Sequence, residues 1–88
     1  MSPRLTADDV RDVRFSMPRF GRRGYDEDQI DAFLDEVVER LEGRGTLTAE
    51  DVRQFRFRRP PWGKRGYNEQ EVEEFTARIA DTLAGLTR

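Results

Sequence analysis

Arginines interleaved with aromatic rings are the side chains of this 88-residue chain best suited to recognise a partner. From Val13 to Tyr25 the chain carries Arg14, Arg19, Arg22 and Arg23 without an acid, set among Phe15, Met17, Pro18 and Phe20. From Gln54 to Tyr67 it carries Arg56, Arg58, Arg59, Lys64 and Arg65, again without an acid, among Phe57, Pro60, Pro61 and Trp62. Two anionic partners suit such segments. One is a lipid surface, which attracts the cations and accepts a ring at its interface. The other is single-stranded nucleic acid, which offers phosphates and stacking bases. Covalent chemistry is poorly served, because the chain has no cysteine and no histidine. That removes disulfides, zinc sites and catalysis built on imidazole or thiolate. Carboxylate neighbours such as Asp35 and Glu36 have no pocket around them in the sequence pattern. The chain therefore reads as non-enzymatic, with no metal, no cofactor and no small-molecule substrate.

The charge is unevenly placed. Nine of the 16 basic residues fall in the two segments above, whereas 26–42 holds eight acids and one arginine. Basic tips on acidic shafts are the expected result. The net charge of −2 argues against nucleic acid as the partner. No apolar run reaches the roughly 18 residues that a membrane span needs, and the N-terminus lacks the apolar centre of a signal peptide. A cytoplasmic, soluble chain, peripheral at the inner face of the membrane if it meets one, is the expectation.

The elements that hold these segments come in two copies. A shift of 42 residues aligns 5–43 with 47–85 without a gap, and 17 of the 39 aligned positions are identical. The copies are read as 1–43 and 47–88, with the glycine-bearing 44–46 as a short linker. Each opens on a short helix whose start is marked by a capping box and a hydrophobic staple: Thr6 with Asp9 and Leu5 with Val10, then Thr48 with Asp51 and Leu47 with Val52. Each closes on a longer helix with similar signals, Asp26 with Gln29 and Asn68 with Glu71, where Tyr25 and Tyr67 are placed to staple onto Ile30 and Val72. The predicted helices cover 6–13, 26–42, 48–55 and 68–84.

Both long helices are amphipathic. Ile30, Phe33, Leu34, Val37, Val38 and Leu41 form one broad apolar face, and Val72, Phe75, Ile79 and Leu83 form a narrower stripe closer to a coiled-coil seam. One copy cannot cover its own face with its own short helix. The fold class expected is all-α, two short helix–basic loop–long helix repeats packed as a helical bundle, either paired within one chain or swapped in a homodimer. The width of the first face favours a homodimer. Phe15 and Phe57, next to the short helices, are expected in the core. Phe20 and Trp62 fit either a fold back over a shallow core or exposure at the tips, and the arginines fit either solvent or pairing with the acidic shafts.

L-T-x-x-D-V, an aromatic and basic segment, and then R-G-Y-[DN]-E-x-x-[IV]-[DE]-x-F resembles the N-terminal domain of the DivIVA family of bacterial cell-pole and division-site scaffolds. The resemblance covers about 37 residues in each copy. It implies a helical domain that pairs in parallel through its long helix and presents a basic and aromatic loop to the membrane. On this chain the matching positions are Phe20 and Trp62, with Arg19, Arg22 and Arg23 around the first and Arg59, Lys64 and Arg65 around the second. The loops are several residues longer than those of the shortest family members. The partners implied are a second copy, another DivIVA-like protein or an anionic membrane surface. A helical adaptor or regulator without membrane contact is the alternative, and nucleic-acid binding stands third.

Overall fold

The computed structural model describes residues 4–86, so both outer repeat boundaries, 1 and 88, lie outside the described residues. Four helices follow one another: α1 (Ala7–Asp12), α2 (Glu27–Leu41), α3 (Ala49–Gln54) and α4 (Glu69–Leu86). They lie where the hydrophobic periodicity and the caps predict them, and α4 runs two residues further. The described residues form no strand, only an isolated antiparallel bridge between Tyr25 and Tyr67.

The short helices start for local reasons. Thr6 accepts the Asp9 amide on its hydroxyl at 3.1 Å, and the Asp9 carboxylate accepts the Thr6 amide at 2.9 Å. Thr48 and Asp51 repeat the exchange at 3.1 and 3.0 Å. Each box satisfies two of the amides that a helix start leaves orphaned. The Thr6 amide, donating to the Asp9 carboxylate, is the main cause that holds this carboxyl below its ordinary range.

The long helices start differently from the pattern in the sequence. Asp26 occupies the N-cap of α2 without capping it. Its carboxylate is buried, at 5% exposure, and accepts from Arg58 Nε at 2.7 Å. The expected box partner, Gln29, accepts the Arg58 amide instead. At the equivalent place in the second copy, Asn68 does cap, taking the Glu71 amide at 3.0 Å. The difference follows from residue 16. Ser16 has no side chain long enough to claim Asn68, so Asn68 is left to serve its own helix, whereas the Arg58 guanidinium takes Asp26. Glu71 is drawn across as Gln29 is, and accepts the Ser16 amide at 2.7 Å. The tyrosines also have cross-copy partners. The Tyr25 ring lies 5.4 Å from that of Phe57, and the Tyr67 ring 5.3 Å from that of Phe15.

Contacts between the copies come in reciprocal sets offset by 42 residues. The Asp26 amide donates to the Arg58 carbonyl and the Asn68 amide to the Ser16 carbonyl, each at 2.9 Å. Phe15 meets Phe75 edge-on, and Phe57 meets Phe33 the same way. Leu5 N donates to Thr82 Oγ1, while Arg40, the residue aligned with Thr82, donates from Nε to the Leu47 carbonyl. The Tyr25–Tyr67 bridge ties the beginnings of α2 and α4 together. Their far ends meet at α1 and the residues leading into it, through Leu5 to Thr82 and through Arg11 to Glu42. The two long helices therefore run in the same direction, in a body measuring 42 by 26 by 22 Å.

Between them lies a single core, in which the chain covers its own apolar stripes. Ile30, Phe33, Val37, Val72, Phe75, Ile79 and Leu83 are buried, together with Leu5, Val10, Val52 and Ala80. Leu34 and Leu41 pack at the margin of this core and are half-buried, as are Phe15, Phe55 and Phe57.

Candidate interaction site

Each basic segment leaves its short helix, crosses the other segment beside the Tyr25–Tyr67 bridge and turns back at a tip. The first tip is a β-turn in which the Arg22 amide donates to the Arg19 carbonyl at 2.9 Å. Its third residue, Gly21, has φ +81°. In the second tip the Lys64 amide donates to the Pro61 carbonyl at 3.0 Å, with Gly63 at φ +84°. A left-handed third residue is the mark of a type II turn, and glycine adopts it without strain. The second position of such a turn projects outwards. Phe20 occupies it in one tip and Trp62 in the other, at 106% and 94% exposure. The structure thus selects exposure over the fold-back for both rings. Met17, on the approach to the first tip, is also exposed.

The crossing needs both motif glycines. A Cβ on Gly66 would meet the Tyr25 carbonyl oxygen at 1.9 Å, and one on Gly24 would meet the Tyr67 carbonyl oxygen at 2.4 Å. Mutual hydrogen bonds close it: Tyr25 N to Tyr67 O at 3.0 Å, Tyr67 N to Tyr25 O at 2.9 Å and Gly66 N to Arg23 O at 2.9 Å. Both phenols then lock the loops onto the opposite helices. Tyr25 donates to Glu73, which holds its hydroxyl proton and pushes its pKa up to about 12. Tyr67 donates to Asp31 at 2.9 Å, and burial together with this bond pushes its pKa up to about 12 as well.

The tip cations divide into two groups. Arg58 is paired with Asp26, Arg59 with Glu69, and Arg22 reaches the same Glu69 at 3.8 Å. Arg59 also lies over the Tyr25 ring, 5.3 Å from its centroid, and Arg23 donates to the Pro60 carbonyl. Arg14 and Arg56 fold back onto the carbonyls that end their own short helices. Among the described residues, Arg19, Lys64 and Arg65 form no ion pair. The sequence showed that the basic segments lack acids, and it did not show Asp26 and Glu69 as their counter-ions. Both acids lie at helix starts outside the segments; the crossing brings Asp26 to Arg58 and Glu69 to Arg22, whereas Arg59 meets Glu69 within its own copy.

Comparison with known proteins reaches part of the chain. Over 37 residues it is 57% identical to the cell wall synthesis protein Wag31 of Mycobacterium tuberculosis. The Wag31 proteins of Mycobacterium leprae and Mycolicibacterium smegmatis give the same identity over the same length. A stretch of this chain is thus similar to part of Wag31. The match supports the DivIVA resemblance over a length close to that of one repeat. It covers 42% of this chain and 14% of each Wag31. No family model matches the chain, and no solved structure does.

Two surface grooves of about 400 Å³ flank the core, one lined by Val10, Phe15, Leu34 and Val38, the other by Val52, Phe57, Thr76 and Ala80. No group of three or more potential ligands that could hold a metal occurs among the described residues. No helix among them is long and apolar enough to cross a membrane.

Proposed function

We propose that this chain is a DivIVA-like, non-enzymatic module in which repeats 1–43 and 47–88, joined by 44–46, pair in cis as a pseudo-dimer and present Phe20 and Trp62 to an anionic membrane surface. The observation that carries this reading is the placing of both rings, at equivalent positions, on projecting turns with cations beside them. A large apolar ring left in water at one site is unremarkable. Two of them at matched positions of a crossed, hydrogen-bonded scaffold point to use. Each ring could contribute about 1–2 kcal/mol on partial burial, and each free cation near an anionic surface about 1 kcal/mol. One tip alone would bind marginally, and two on one scaffold gain avidity without new contacts.

The likeness to a cell wall synthesis protein, with the DivIVA resemblance, supports a cytoplasmic role at the inner face of the membrane in organising the cell pole or division site. Arg19, Arg22, Arg23, Arg59, Lys64 and Arg65 are the polar part of the proposed contact. A second reading, an adaptor that joins a second copy or a longer DivIVA-like protein, is favoured by one observation. Leu34, Val38 and Leu41 leave a half-buried apolar margin along α2 that Thr76 and Ala80 do not provide on α4. Co-sedimentation with vesicles tests the membrane reading. Binding to phosphatidylglycerol vesicles and not to phosphatidylcholine vesicles at low salt supports it. Absence of binding to either overturns it.

A further inference from the structure

The repeat equivalence of the two tips ends at their charges. In the first tip Arg22 reaches Glu69, the closer partner of Arg59, at 3.8 Å. Arg23 keeps its charge but is tied to the Pro60 carbonyl, so Arg19 is the one cation of this tip with no such tether among the described residues. In the second tip Lys64 and Arg65 follow the exposed ring after Gly63, and among the described residues neither is in an ion pair. Glu69 therefore offsets one cation of each segment, Arg59 of the second closely and Arg22 of the first at 3.8 Å, while Lys64 and Arg65 beside Trp62 have no acid partner among the described residues. The ring itself also differs. Trp is the larger ring, with an N–H that can stay at the wet boundary while its body is buried, which suits the headgroup region.

We infer that the tips are unequal, with Trp62, Lys64 and Arg65 forming the principal anchor for an anionic lipid surface, Phe20 and Arg19 a weaker one, and Glu69 limiting the strength of both. This inference rests on the membrane reading above and assigns the work within it. Removing the Glu69 charge unmasks the charges of Arg22 and Arg59 together, and both already lie on the tip loops. The acid does more than subtract one unit from the net charge, because it sits among the cations that would face the headgroups.

The test is the affinity of the full chain for phosphatidylglycerol–phosphatidylcholine vesicles at low salt. Single cations near such a surface are worth about fivefold each, so Lys64→Ser with Arg65→Ser should weaken binding roughly 25-fold and Arg19→Ser about fivefold. Trp62→Ala should weaken it more than Phe20→Ala. Glu69→Gln, which keeps the hydrogen-bond acceptor, should strengthen it severalfold. Glu36→Gln adds the same net charge on the far half of α2 and should change little. Melting curves matched to wild type confirm that each variant is folded. Equal losses at the two tips, or equal effects of Glu69→Gln and Glu36→Gln, overturn the inference while wild-type binding leaves the membrane reading standing. A wild type that binds no anionic vesicle fails the reading itself. The same variant ranking on single-stranded DNA, without vesicle binding, overturns both.

Discussion

Gly66 lies so close to Tyr25 that an added methyl group would meet the Tyr25 carbonyl oxygen at 1.9 Å. The neighbour is backbone, held in place by the reciprocal Tyr25–Tyr67 hydrogen bonds, and has no rotamer through which to yield. The glycine of the R-G-Y motif is there because two chain segments cross at van der Waals distance, once from each copy.

Gly66→Ala should accordingly destabilise the protein by about 3 kcal/mol or more, at the upper end for overpacking. Gly63→Ala, at the second tip, meets nothing within 4 Å and carries only the cost of a left-handed non-glycine, about 1–2 kcal/mol. Chemical denaturation of the two variants measures the difference. Equal effects would mean that the crossing is loose in solution.

Core and tip rings should separate cleanly. Phe33 is buried and packed against Phe55 and Phe57, so Phe33→Ala should cost about 3–5 kcal/mol. Phe20→Ala and Trp62→Ala should each move stability by no more than about 0.5 kcal/mol, as surface changes do. Thermal melts read both. A large loss from either tip variant would place that ring in the core.

A fragment ending at Gly43 loses Phe55, Phe57 and Arg58 from the face of α2 and the start of its helix. It should be largely unfolded as a monomer, or associate with a second copy to rebuild the crossing. Sedimentation with circular dichroism distinguishes these outcomes. A cooperative melt from a monomeric fragment would contradict the dependence of each copy on the other.

The phenol locks predict an alkaline limit. Tyr25 and Tyr67 are held as neutral donors to Glu73 and Asp31, with pKa values raised from 10.0 to about 12. A raised folded-state pKa means the contribution is complete below pH 10 and disappears as the pH climbs through about 12. Phenolate absorbance in the native protein should therefore rise late, near pH 12. In Tyr25→Phe and Tyr67→Phe the alkaline loss of stability should be smaller. Ordinary titration near pH 10 in the folded protein would show that the locks do not form.

What could be read from the residues was local. Thr6 with Asp9 and Thr48 with Asp51 sit three positions apart and need nothing else, so α1 and α3 announce themselves. The stripe from Ile30 to Leu41 follows from periodicity for the same reason. Asp26 with Gln29 shows the same local signature, yet Arg58 reaches it from 32 positions away and takes the carboxylate, the stronger partner for a guanidinium. No spacing rule exposes such a competitor. Likewise the exposed turns of Phe20 and Trp62 were ambiguous in sequence, because exposure depends on where the crossing directs each loop.

The only tryptophan of the chain is Trp62, at the second tip and 94% exposed, so its fluorescence reports directly on the proposed contact. Titrating the protein with phosphatidylglycerol vesicles at low salt should shift its emission to the blue and shield it from an aqueous quencher. Salt should reverse both effects by screening Lys64 and Arg65. Emission that stays at its aqueous position, with full quencher access, while the protein co-sediments with the vesicles would contradict the account.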